Sequence, residues 1–386
     1  MKRRAYLGLL GAGALAGCSG GDDGSAGTDS TDTTETSTES RGNDGGDAVA
    51  DPSSVAFSQR WVEDFDFEDS VTSQNFAADG SADTLVMGAE WGLAALDMAD
   101  SSRTWEKDEW DDFIDIQVDS EGVMVYTETP EIVSFDPSDG SERWRTSTTN
   151  EDNVVFNTEL TASYFVAESA DGIAVYERGS GDVALELDES AEEILATDEV
   201  LVVMDYTETT AFDIPSGNER WTTESFISLG ATIDDGRLIE HKLGAGSDED
   251  SSLTAIDLSS GAERWSENLG SVRFNQASIT TEDGVATFLS QPLEGAQTLH
   301  GHDLADGSQL WTRDAGDLFA PFEPVTANGV IIAPSKTDGQ SQIQARNVQT
   351  GELLDSIENE VAINMGVAVD RTFVAVETTS AAAYDF

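Results

Sequence analysis

An acidic motif recurring every 36 to 46 residues, β-branched runs set between Gly and Asx turns, and a half-motif at each end of one region predict an all-β chain. The expected architecture is an eight-bladed β-propeller of four-stranded antiparallel blades over residues 55–386, closed by pairing its N- and C-terminal strands. Seven blades is the alternative if Trp61 stands outside the series.

The bulk numbers permit such a domain. A region of more than 300 residues can bury most of its apolar surface, and 38% hydrophobic with 8% aromatic content rules out wholesale disorder. The net charge is −57, from 19 basic and 76 acidic residues, which repels phosphate backbones and excludes nucleic acid as a partner. The acids are dispersed and Lys is rare, a composition similar to that of proteins from salt-loving archaea, where salt screens self-repulsion. A site for cations or a basic partner is the other reading of the charge. Cys18 is the only cysteine, so an intramolecular disulfide and a Cys-rich metal site are both excluded.

The first element, residues 1–17, reads as an export signal: basic Lys2, Arg3 and Arg4, an apolar run, then Leu15-Ala16-Gly17-Cys18. As a helix the run is about 20 Å long, short of the roughly 30 Å hydrocarbon core that a stable span must cross. The adjacent Arg3 and Arg4 resemble a twin-arginine signal, and Leu-Ala-Gly-Cys resembles a lipobox, which implies cleavage before Cys18 and lipid on its sulfur. One acyl chain anchors marginally, so stable attachment implies more than one. The second element, residues 18–54, is Gly, Ser, Thr and acidic residues, too polar to fold: a self-repelling tether that holds the rest away from a membrane.

The third element is the repeat. A small residue, a bulky one, Asp, a short turn with Gly, and a Trp eight positions after the Asp recur at Asp136 to Trp144, Asp213 to Trp221, Asp257 to Trp265 and Asp303 to Trp311. Three copies are degenerate: Asp97 to Trp105 has Ser101 for Gly, Glu177 ends in Leu185, and Asn347 ends in Asp355. Runs such as Val200-Leu201-Val202-Val203 and Val330-Ile331-Ile332 follow turn residues and read as strands. The Asp-to-Gly stretch reads as a hairpin, with Asp holding the turn and Gly closing it. Four short strands then fill each period.

Closure follows from the ends. Ala383-Tyr384-Asp385 is a first half-motif and Gln59-Arg60-Trp61 a second half. Joined, they complete one more motif, and the ring length becomes eight periods of roughly 41 residues. Joining them also removes the sheet edges that invite aggregation.

At these residues the chain resembles the PQQ-like repeat family, whose pattern is Ala-x-Asp-x-x-Thr/Ser-Gly-x-x-x-Trp. The resemblance covers about residues 55–386. It implies that Trp61, Trp105, Trp144, Trp221, Trp265 and Trp311 are structural, each indole docking between small residues and glycine peptides of neighbouring motifs. It also raises quinoprotein dehydrogenases, which carry a vicinal disulfide, a calcium ion and a catalytic Asp, and which are longer. The single cysteine forbids that disulfide, so the expectation is a protein without cofactor, catalytic residue or metal. The architecture is similar to a bacterial lipoprotein propeller that serves as a scaffold in outer-membrane assembly. What this implies is a monomeric binding scaffold or sensor on the outer face of the cell membrane, anchored through Cys18 and contacting an envelope protein or peptide.

Other chemistry has little to stand on. His300 and His302, two apart on a strand, share a face and suit a metal pair, but His302 fills the bulky position held by Phe135, Phe212 and Ile256, which favours packing. The carboxylate runs at 64–69, 111–112 and 248–250 lack the Gly and terminal Glu of an EF-hand and read as solvated surface.

Overall fold

The structure is a computed structural model that describes residues 55–386 apart from 65–76, 82, 90–91, 108–114, 127–130, 148–154, 170, 225–227, 243–249, 271, 274–278, 293–296, 317–323, 338–339, 359–364 and 378–379. Arg3, Arg4, Cys18 and the tether lie outside these residues, as do the acidic runs at 65–69, 111–112 and 248–249. Every regular element among the described residues is a β-strand.

The strands form eight antiparallel sheets. Blades 1 to 7 span 77–107, 115–147, 155–187, 193–224, 228–270, 272–316 and 325–358, and in each the strands pair in sequence order. In blade 6 the innermost position is shared by Val272–Arg273 and Thr280–Glu282, both paired with Val285–Pro292. Blade 8 takes three strands from 365–385 and its outermost one, Ser58–Asp64, from the other end of the sequence. That strand lies antiparallel to Ser380–Asp385 with Trp61 opposite Ala383, so the eighth blade is a join between the two ends.

Burial explains why each sequence segment takes its place in a blade. Middle strands are covered by a neighbouring blade on both faces, and they are continuous apolar runs: Val123–Tyr126 and Val200–Met204 are buried at every position. Outer strands face solvent on alternate residues, and Glu142–Ser147 and Glu219–Glu224 each bury the Trp while exposing its two chain neighbours or nearly so.

The core is correspondingly divided. Eight apolar clusters each bridge two consecutive blades, and one of them joins Trp61, Val374 and Ala383 of blade 8 to Leu85, Met87 and Leu96 of blade 1. An open row of eight sheets has seven seams; eight seams mean a closed ring.

Candidate functional site

The seams are organised by the motif. In six of them the indole Nε1 donates to the carbonyl of the residue that follows the next blade's motif Asp, Glu or Asn: Trp61 to Met98 (3.0 Å), Trp105 to Pro137 (2.8 Å), Trp144 to Arg178 (2.6 Å), Trp221 to Leu258 (2.8 Å), Trp265 to Leu304 (3.0 Å) and Trp311 to Val348 (2.9 Å). The ring face covers the next blade's turn glycine. A Cβ built on Gly140, Gly181, Gly261, Gly307 or Gly351 would come within 2.5–2.7 Å of the indole packed on it, and all five hold a positive φ. Ser101, at φ 61°, takes this place in blade 1.

On its own sheet each Trp lies opposite the small residue of its motif: Ala95, Ser134, Ala211, Ala255, Gly301 or Ala383. Trp61, Trp105, Trp144, Trp221 and Trp311 are buried, and Trp265 is partly so. Each indole therefore gives one apolar face and one hydrogen bond to a seam, satisfying its only polar group.

The hairpins preceding these Trp residues are held by charge. In blades 2, 4, 5 and 8 an Arg directly before the Trp pairs with the motif Asp: Arg143 with Asp136 and Arg220 with Asp213, both at 2.8 Å, Arg264 with Asp257, and Arg60 with Asp385 across the join. Hydrogen bonding from Ser138 and then from Arg143 holds the Asp136 carboxyl down to about 2, and Ser216 with Arg220 lowers Asp213 in the same way.

Blades 3 and 7 depart from the pattern in ways that spacing alone did not reveal. Blade 3 pairs Val175 with Leu185, a larger small residue with a smaller large one, and Leu185 covers Gly217 where a Trp stands elsewhere. In blade 7 the carboxylate of Asp355 accepts a 2.7 Å hydrogen bond from the Phe57 amide, fixing the chain as it enters blade 8. Arg178 occupies the position after the motif acid, which is Met98, Pro137, Ile214, Leu258, Leu304 or Val348 in other blades. Its guanidinium grips Asp119 of blade 2 at 2.6 and 2.5 Å and the Thr161 carbonyl at 2.9 Å. Burial alone would raise Asp119, but the hydrogen bonds and charge of Arg178 outweigh it and hold the carboxyl low. The break in the apolar series at 178 was the available signal. Beside this pair lies a polar recess lined by Glu121, Arg143, Ser163 and Arg178, whose two cations are both already matched by carboxylates.

All three histidines of the chain face the seam between blades 5 and 6. His241 shares a strand face with Ile239, and both lie on the blade 5 side of the apolar cluster containing Phe288. His300 is opposite Phe288, and His302 is opposite Ala286 of that cluster. Burial lowers all three, His241 to about 3 and His300 to about 4, so they are neutral near pH 7. Among the described residues, no group of three or more His, Cys, Asp or Glu converges as a metal site.

A family model described as outer membrane protein assembly factor BamB matches residues 89–225 and 208–385. The chain belongs to this family. Among curated proteins there is no significant match. Solved structures share the fold: BamB from Moraxella catarrhalis is 15% identical with a TM-score of 0.63, covering 86% of this chain and all of its own. The computationally designed Ika8 protein is 13% identical with a TM-score of 0.61, covering 82% of this chain and 98% of its own. The quinohemoprotein alcohol dehydrogenase of Comamonas testosteroni is 10% identical with a TM-score of 0.57, covering 85% of this chain and 76% of its own. At such identities the likeness is one of fold.

Proposed function

We propose that this protein is a non-catalytic, lipid-anchored scaffold or sensor at the outer face of the cell membrane, binding an envelope protein or peptide on its disc. The observation that carries the reading is the BamB family match across 89–385 in a chain whose seams are committed to blade-to-blade docking. The lone Cys18 supports it twice: it stands where a lipobox would place it, and it leaves no second thiol for a vicinal disulfide. The acidic tether of residues 18–54 would give the disc reach, and Arg3 and Arg4 would direct export in the folded state.

The test has two arms. Wild-type protein should fractionate with membranes and carry lipid on residue 18, and Cys18→Ser should release it to the medium; a Cys18→Ser chain that stays on the membrane refutes the anchor. Mixing the protein with pyrroloquinoline quinone and calcium should give neither a stoichiometric chromophore nor dye reduction with alcohols. Either signal would replace the scaffold with a quinone-dependent oxidoreductase.

A further inference from the structure

His300 and His302 sit side by side on Gln297–Asp303, with ring centroids 6.1 Å apart. His302 is 1% exposed, and its Nδ1 lies 3.0 Å from the Gly307 carbonyl. A carbonyl only accepts, so Nδ1 carries the proton and Nε2 is a bare lone pair. Ser290 Oγ donates to the Thr298 carbonyl (3.4 Å) and lies 2.6 Å from His300 Nε2. The arrangement that leaves no buried donor unused has His300 Nε2–H donating to Ser290, which leaves Nδ1 as a second bare lone pair. Both bare nitrogens are buried, and no described group hydrogen-bonds to either.

This is the preparation that metal-binding imidazoles receive: one nitrogen fixed by an outer hydrogen bond, the other free and unprotonated. Phe288 walls the pair, stacked on His300 at 4.9 Å and 5° and on His302 at 5.4 Å and 30°. The burial that lowers both groups removes the proton competition a metal would otherwise face near neutrality.

We propose that His300 Nδ1 and His302 Nε2 form a two-coordinate site for a soft monovalent cation of the Cu+ type. With metal–nitrogen bonds of about 2.0 Å, a ring centroid lies about 3.2 Å from the ion, so two rings sharing one ion stand at most about 6.4 Å apart. The observed 6.1 Å falls near that limit and requires a wide nitrogen–metal–nitrogen angle, which Cu+ accepts and tetrahedral Zn2+ does not. The ligand number agrees, since no third His, Cys, Asp or Glu among the described residues completes a larger set. The charge is compatible: the Glu267 carboxylate of blade 5 acts on His302 and would favour a positive ion beside it.

The experiment gives the full chain Cu+ from a coloured chelator under reducing conditions, beside the double variant His300→Phe/His302→Phe. Phenylalanine keeps ring volume against Phe288 and is the residue found at 135 and 212, and Cys18 is unchanged in both proteins. Wild type should withdraw one equivalent, with at least a tenfold loss of affinity in the variant and weaker retention of Zn2+. Equal uptake by both proteins, or Zn2+ held as tightly as Cu+, overturns the site. If the variant fails to fold, nuclear magnetic resonance of the wild type decides: added Ag+ should move the ring signals of His300 and His302, and unmoved signals overturn the proposal.

Discussion

A turn glycine under an indole has no room for change on either of two counts. Gly261 holds φ +71°, and a Cβ there would come within 2.7 Å of Trp221; Gly284 holds φ +77° but a Cβ would meet nothing within 4 Å. Gly284→Ala should therefore lose about 1–2 kcal/mol for the left-handed backbone alone. Gly261→Ala should lose a further 1–3 kcal/mol, roughly, by overpacking the seam. Denaturant unfolding of the two variants measures the difference, and equal losses would show that the indole yields freely. The docking positions were legible because a Trp eight residues after an Asp is a rigid ruler, repeated where spacing in the rest of the blade varies. Arg178 was less legible. Its role depends on Asp119, 59 positions away, and no local pattern links them.

At the scale of strands and seams, the middle strands announce themselves as unbroken apolar runs and the outer strands by alternation. Which seam carries polar chemistry is a different matter. His241 and His302 come from separate blades, and only the pairing registers place both against Phe288's cluster. That seam should be the acid-sensitive one. Unfolded, each histidine takes a proton near pH 6.5, while folded His300 resists until about 4 and His241 until about 3. Between those limits the unfolded chain binds more protons, so stability contributed at neutral pH is lost as the pH falls from 6.5 towards 4. Unfolding midpoints should drop between pH 7 and pH 5, and drop less in His300→Phe/His302→Phe. A level midpoint over that interval contradicts the assignment.

The whole molecule depends on one pairing, Ser58–Asp64 against Ser380–Asp385, reinforced by the Arg60–Asp385 ion pair. Deleting residues 55–64 should do far more than remove one strand, because it exposes an edge and opens the eighth seam. Size-exclusion chromatography should show aggregation, with a broadened unfolding transition, whereas Arg60→Ala should cost at most about 1 kcal/mol, as a half-exposed pair does. A truncated protein that stays monomeric and unfolds sharply would mean that seven complete blades suffice. Charge acts at the same scale. With −57 spread over the chain, dialysis from about 1 M to 0.1 M salt lengthens the screening distance from about 3 to 10 Å, and the melting temperature should fall. The closing pair also sets an order of events during synthesis. Arg60 leaves the ribosome 325 positions before Asp385, so the strand made first must wait, unpartnered, until blades 1 to 7 have been translated. Blades 1 to 7 can assemble as they emerge, whereas the circle closes only after Ser380–Asp385 has been made and can meet Ser58–Asp64.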